Sequence, residues 1–379
     1  MLAVRGRINY RNLARYGEYS ERTYARQFAQ PFPWVPYHAQ VIARAVPASH
    51  QCIAVQDASF IRKSGKHTPG LDWFYNGCAS RAERGLEINA LAVVDLTQKG
   101  AYIAAVAQTP ATAVLKKDDA TKTRLDFSIE QVQTTRPHLP AEIRYLAADG
   151  AYANKKYADA VVGVGLQLVT KLRNDANLRF RFTGPRTGQR GRPRTYDGKV
   201  DWQDLSRFER VDLSALDPEP GVEGYTAELY HCSLKRWLRV VVLVWYTADG
   251  QRHHAIFATT DLHCAALEVL RMYQARFQIE FLFRDGKQFA GLAECQARNA
   301  EALDFHFNAA LATVSATRAA TAQAHQEDTP FVFSMASQKQ VTFNEHFMAE
   351  IFTKLGQDLN CIKNHPAYAA LRTYGALAA

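Results

Sequence analysis

Ile143-Arg144-Tyr145-Leu146-Ala147-Ala148-Asp149-Gly150 is an apolar run that ends on a carboxylate. Through Ala148 it has the length and composition of a β-strand. A helical pattern from Asn154 to about Val162 follows it, and a further strand-like run, Leu166 to Lys171, comes after. Asp149 therefore stands at the strand edge where sheet enzymes place ligand-facing residues. A plain Asp-Gly turn is the other reading of the same pair.

Working outward from that unit, three strand-like runs lie upstream. Cys52 to Ile61 contains Asp57, and Glu87 to Leu96 and Ala101 to Gln108 are separated only by the turn Gln98-Lys99-Gly100. They read as consecutive antiparallel strands. Phe127, Ile129 and Val132 then mark a helix that stops before Pro137 and Pro140. Strand, strand, strand, helix, strand, helix, strand is the order of the ribonuclease-H-like fold, a mixed sheet flanked by helices.

Downstream the texture changes. Lys171 to Lys199 holds nine Lys or Arg against two Asp, with breakers at Gly184-Pro185 and Gly191-Arg192-Pro193-Arg194. Alternating β-type runs follow at Arg207 to Leu213, Tyr225 to Leu234, Trp237 to Tyr246 and His254 to Thr259, and they read as an all-β insertion. From Ala265 the pattern is helical to about Ala324, with Ala265 to Lys287 read as one helix, and Asn344 to Leu355 is a further helix. At the start, Tyr19 to Gln30 is helical before the prolines Pro31, Pro33 and Pro36. The expected organisation is a basic helical segment over 1–48, a first core part over 49–172, the basic β-rich insertion over 173–260, a helical second core part over 261–325 and a tail over 326–379.

At 379 residues and 47% hydrophobic composition the chain can bury an ordinary core. Its longest apolar run, Val240 to Tyr246, is far short of the roughly 20 residues of a bilayer span, so a soluble, cytoplasmic protein with no membrane partner is expected. Six cysteines without a C-x-x-C pair read as reduced, mostly buried thiols. The net charge of +9, concentrated in the Lys171–Lys199 stretch, fits a polyanionic partner or a solvated loop equally well.

Three acids stand out. Asp57 lies mid-strand, where a carboxylate is costly unless it is paired or binds metal. Asp149 closes its strand, and Glu280 shares a helical stripe of about 60° with Tyr273, Arg276 and Lys287. An exposed i,i+4 Arg–Glu pair also accounts for part of that stripe. Three carboxylates together would make an all-oxygen site suited to Mg²⁺, where two ions activate the attacking oxygen and stabilise the leaving one.

These residues carry a resemblance. Tyr273-Gln-Ala-Arg276-Phe-Gln-Ile-Glu280, then six residues, then Lys287, is the Tyr-x2-Arg-x3-Glu-x6-Lys motif of a subgroup of DDE-type insertion-sequence transposases. Gln56-Asp57-Ala58-Ser59-Phe60 and Ala148-Asp149-Gly150-Ala151-Tyr152 resemble the blocks around that family's two aspartates. Arg62 to His67 and Phe74 to Leu86 resemble its β-hairpin region, and the likeness runs from about 50 to 300.

The resemblance implies catalytic metal ligands at Asp57, Asp149 and Glu280, with Mg²⁺ as two ions and Mn²⁺ able to substitute. It implies phosphate contacts at Tyr273, Arg276 and Lys287, and an enzyme that cuts transposon ends and joins them to target DNA as a homodimer in the end complex. The expected partner is double-stranded DNA, both terminal inverted repeats and target. Further backbone contacts are expected from Arg62, Lys63 and Lys66 and from Arg190, Arg192 and Arg194. Lys63-Ser64-Gly65-Lys66-His67-Thr68 lacks the Gly and Ser/Thr of a nucleotide-binding loop, so an ATPase is excluded. The chain departs from the family in having no Trp close before Ala255–Thr260, which leaves the family's DNA-hairpin step open; Trp237 and Trp245 lie upstream. A nuclease or resolvase without strand transfer, and a catalytically inactive end-binding protein, are the alternatives.

Overall fold

The structure is a computed structural model that describes residues 1–185, 193–217, 219–325 and 331–377. In chain order the first elements are helices α1 (Tyr10–Tyr16), α2 (Glu21–Phe28) and α3 (Trp34–Ala45). Strands β1 (Cys52–Arg62), β2 (Asp72–Asn76), β3 (Arg81–Asp95) and β4 (Gly100–Gln108) come next, then α4 (Thr112–Asp118) and α5 (Arg124–Thr135). The quoted run is β5 (Tyr145–Ala148), followed by α6 (Lys155–Gly163) and β6 (Gln167–Leu172). Then come β7 (Leu178–Arg181), β8 (Tyr196–Lys199), β9 (Glu209–Val211), β10 (Glu223–His231), β11 (Arg236–Tyr246) and β12 (Arg252–Thr259). Helices α7 (Ala266–Ala275), α8 (Gln278–Phe289), α9 (Ala300–His325), α10 (Met335–Lys354) and α11 (Pro366–Arg372) complete the chain. Among the described residues no helix is long and apolar enough to cross a membrane.

The chain divides into two compact units. The first comprises Met1–Gln51, Ala58–Arg124 and Gln278–Ala379. In it β3 pairs antiparallel with β2 and β4 and neighbours β1. Leu86, Ile88 and Ala90 to Val94 are all buried, so β3 reads as a nearly continuous apolar run. Helices α3 and α9 pack on β4. On α9, Leu303, His306, Phe307, Ala310, Leu311 and Val314 are buried at three- and four-residue spacing, the stripe a core-facing helix needs.

The second unit comprises Cys52–Asp57 and Leu125–Phe277. Here β1, β5 and β6 run parallel, and β12 joins β6 antiparallel. Outward from β12 lie β11, β10, β7 and β8, with β9 on β10. The β-rich stretch thus extends the sheet from the edge of β6 instead of closing on itself. Antiparallel β3–β4, parallel β1–β5–β6 and the intervening helices α5 and α6 make the mixed sheet of a ribonuclease-H-like fold.

Three local expectations are corrected. Pro36 is not part of a break, because it falls in the first turn of α3, where a missing N–H costs nothing. Ala265 to Lys287 is two helices: the Arg276 N–H is shared between the Met272 and Tyr273 carbonyls, the Phe277 N–H turns back to Gln274, and α8 starts afresh at Gln278. The continuous helix that would carry the expected stripe is thus interrupted between Ala275 and Gln278. Of the six thiols, Cys264 and Cys295 are buried, but Cys78, in a turn, and Cys361, in the short 3-10 helix Leu359–Cys361, are exposed.

Candidate active site

Register places the two aspartates. Gln56 pairs with Ala148, and Ala148 with Thr170. One residue further along these parallel strands come Asp57, Asp149 and Lys171, and Lys171 pairs in turn with Phe257 on β12. Neighbouring strands are about 4.8 Å apart, so Asp57, Asp149, Lys171 and Phe257 form one row across the sheet.

Alternation decides which way the row faces. Gln56 donates to the Ser128 carbonyl and to Gln131 Oε1, each at 3.1 Å, and accepts from the Tyr157 hydroxyl, so it is turned toward α5 and α6. Asp57 therefore faces the other side, where α7 packs on β5, β6, β11 and β12. At the end of α7 the Arg276 guanidinium meets Asp57 Oδ2 at 2.9 Å, with the two side chains 13% and 19% exposed. The Tyr273 ring lies 4.9 Å from that of Phe257 and 5.6 Å from the Arg276 guanidinium. Burial pushes the Tyr273 phenol up from its usual range; the charges of Asp149 and Asp57 add to this, and Arg276 opposes them. A cavity of about 660 Å³ opens beside the row, lined among others by Lys171, Phe257, Tyr273 and Arg276.

Asp149 caps the short 3-10 turn Gly150–Tyr152 through Oδ1, which accepts the Ala151 N–H at 2.6 Å. The Asp-Gly turn and the strand-end position are thus both real. Thr170 Oγ1 donates to the Asp149 carbonyl at 3.1 Å, tying the residue to β6. A Cβ on Gly150 would stand 3.0 Å from the Lys171 carbonyl, so this close passage of turn and strand favours glycine.

Glu280 and Lys287 belong to the first unit, in the first and last turns of α8, and both are half-buried. Burial pulls the Lys287 pKa down, with Cys78 acting in the opposite sense. In the same unit Lys63 donates to the Cys295 carbonyl and is likewise lowered by burial, while Arg62 and Lys66 are exposed. In the second unit Arg194 pairs with Asp197 at 2.7 Å and covers the Phe182 ring at 4.7 Å. Arg190 and Arg192 lie outside the described residues. Trp245 stacks on His253 and Trp237 packs against Tyr230, both as packing partners within the β-rich stretch.

Among the described residues, no three His, Cys, Asp or Glu side chains are grouped as a metal site. The donor chemistry of the row nonetheless suits a hard divalent cation: two carboxylates at one register, on adjacent strands. Lys171 and Phe257 escaped the sequence reading. Aligning the C-terminal ends of β5 and β6 would have put Lys171 beside Asp149, whereas Phe257 needs the β6–β12 pairing.

A ribonuclease-H-like sheet with two aspartates at neighbouring strand ends fits a nuclease-type enzyme of the DDE class, which acts on DNA, and a family match supplies that class. The family model described as DDE superfamily endonuclease matches residues 1–217, more than half of the chain, and the protein belongs to that family. Asp57 and Asp149 lie inside the matched range; Tyr273, Arg276, Glu280 and Lys287 lie beyond it. No curated protein matches the chain. DDE-type endonucleases generally use divalent metal ions.

Proposed function

We propose that the protein is a transposase of the Tyr-x2-Arg-x3-Glu-x6-Lys subgroup that cuts DNA at transposon ends and joins them to target DNA, working as a homodimer on the paired ends. The observation that carries this reading is the row of Asp57 and Asp149 at one register, faced by Tyr273 and Arg276 from α7. Asp57, Asp149 and Glu280 would hold two Mg²⁺ ions, with Mn²⁺ able to substitute. When bound, these supply activation of the attacking oxygen and stabilisation of the leaving one.

The chain's own residues do the rest. Arg276 neutralises Asp57 and presents a planar fork suited to a phosphate. Tyr273, its phenol held protonated by burial, can donate to a phosphate oxygen. Lys171, exposed at the same register, adds a cation on the far side of Asp149, and Lys287 adds one on α8. Arg62, Lys66, Arg190, Arg192 and Arg194 are proposed to track the DNA backbone more loosely, and Lys63 to brace that loop through Cys295.

The test uses the DNA that flanks the protein's own gene as labelled duplex, with Mg²⁺ or Mn²⁺. Asp149→Ala and Glu280→Ala should lose nicking and joining while still binding the fragment, since phosphate contacts elsewhere supply most of the affinity. Cutting at wild-type rate by either variant overturns the assignment. Cutting by the wild type without any joining would make it a nuclease or resolvase.

A further inference from the structure

We propose that the outer face of the β2–β3 hairpin is a base-stacking contact for DNA whose strands are open. This rests on the reading that the protein works on cut DNA ends. Trp73 and Tyr75 are 62% and 65% exposed on the five-residue strand β2, two residues apart and therefore on one face. Their register partners on that face are Arg84 and Ala82, both exposed.

The hairpin does not need these two rings in order to fold. Its inner face is already anchored by Phe74, which is buried beneath the Arg124 guanidinium at 4.0 Å. Arg124 also donates to Asp72 at 2.7 Å and to the Trp73 carbonyl at 3.1 Å. Two large exposed aromatics on a strand at the end of the sheet order are a liability unless something covers them.

Charge selects the occupant. The hairpin's two acids are held internally, Asp72 by Arg124 and Glu83 by Arg81 and Asn76. The charged side chain opposite Trp73 is Arg84. At the hairpin turn, Cys78 lies close enough to Lys287 to influence its ionisation, so the α8 cation stands at the tip of this arm. Aromatics beside cations are the elements of a single-strand platform, on which bases stack and phosphates are neutralised. The rise over two strand residues is about 6.8 Å, twice the stacking distance of about 3.4 Å, which lets each ring take its own base.

The experiment compares full-length wild type with the Trp73→Ala/Tyr75→Ala double variant, the Trp73→Phe/Tyr75→Phe double variant and Arg84→Ala. Affinity is read by fluorescence anisotropy in EDTA on two probes, an oligothymidine of about 20 nucleotides and a fully paired duplex. The alanine pair should weaken single-strand binding by about 5- to 100-fold, with the melting temperature and duplex affinity nearly unchanged. The phenylalanine pair should retain single-strand binding, and Arg84→Ala should flatten its salt dependence. Unchanged single-strand affinity in the alanine pair overturns the proposal, as does equal loss on both probes. Conversion of a wild-type dimer to a monomer by the alanine pair, read by sedimentation, would assign the face to a second copy instead. Because EDTA removes cutting, this result stands apart from the cleavage test of Asp149→Ala.

Discussion

Asp57 is the residue on which the site turns. A carboxylate placed mid-strand among Ile53, Ala54 and Val55, all fully buried, costs several kcal/mol if left unpaired. That cost was legible in the sequence, but its remedy was not, since Arg276 lies 219 residues away. Arg276→Ala should destabilise the protein by on the order of 2 kcal/mol, well above the about 0.2–0.5 kcal/mol of an exposed helix pair. A cation on the carboxylates would take over part of the Arg276 role. Mn²⁺ should therefore raise the melting temperature of Arg276→Ala more than that of wild type. Equal shifts in both proteins would separate Asp57 from any cation site.

At the level of elements, strands and amphipathic helices declared themselves through periodicity. The edge strand β2 and the short helix α4 are too brief to do so. The break between α7 and α8 left no such mark, because Met272, Ile279, Phe283 and Gly286 keep helical spacing straight through it. The halves bury their apolar sides in different units, and only tertiary structure reveals that. Gly286 on α8 is buried, and a Cβ there would meet Leu311 Cδ2 at 2.9 Å and Leu292 Cδ2 at 3.2 Å. Gly286→Ala should thus cost about 1–3 kcal/mol through overpacking, although alanine gains about 1 kcal/mol in intrinsic helix propensity. Denaturant melts decide: a net gain in stability would mean that the two leucines yield freely.

For the molecule as a whole, acid is the expected weakness. His38, set against the Ala104 carbonyl, and His306, against that of Gly291, are buried and pushed down to about 4. Their unfolded counterparts titrate near 6.5, so the stability they contribute is full above that pH and is lost as pH falls toward 4, by up to about 3 kcal/mol each. Asp304, raised to about 6 by burial, works in the opposite sense, its penalty easing below that pH. Melting temperature should drop between pH 6.5 and 4, and a His38→Gln/His306→Gln double variant should flatten the drop; an identical slope would locate the acid sensitivity elsewhere. The pairing of Lys171 with Phe257 has a different kind of consequence. The β-rich stretch starts from the end of β6 and comes back through the adjacent β12, so its two ends stand about one strand spacing apart. Segments tethered in this way can be lengthened, shortened or exchanged at small entropic cost without moving what lies on either side. Changes of length in that stretch therefore need not shift the register that sets Asp57 beside Asp149.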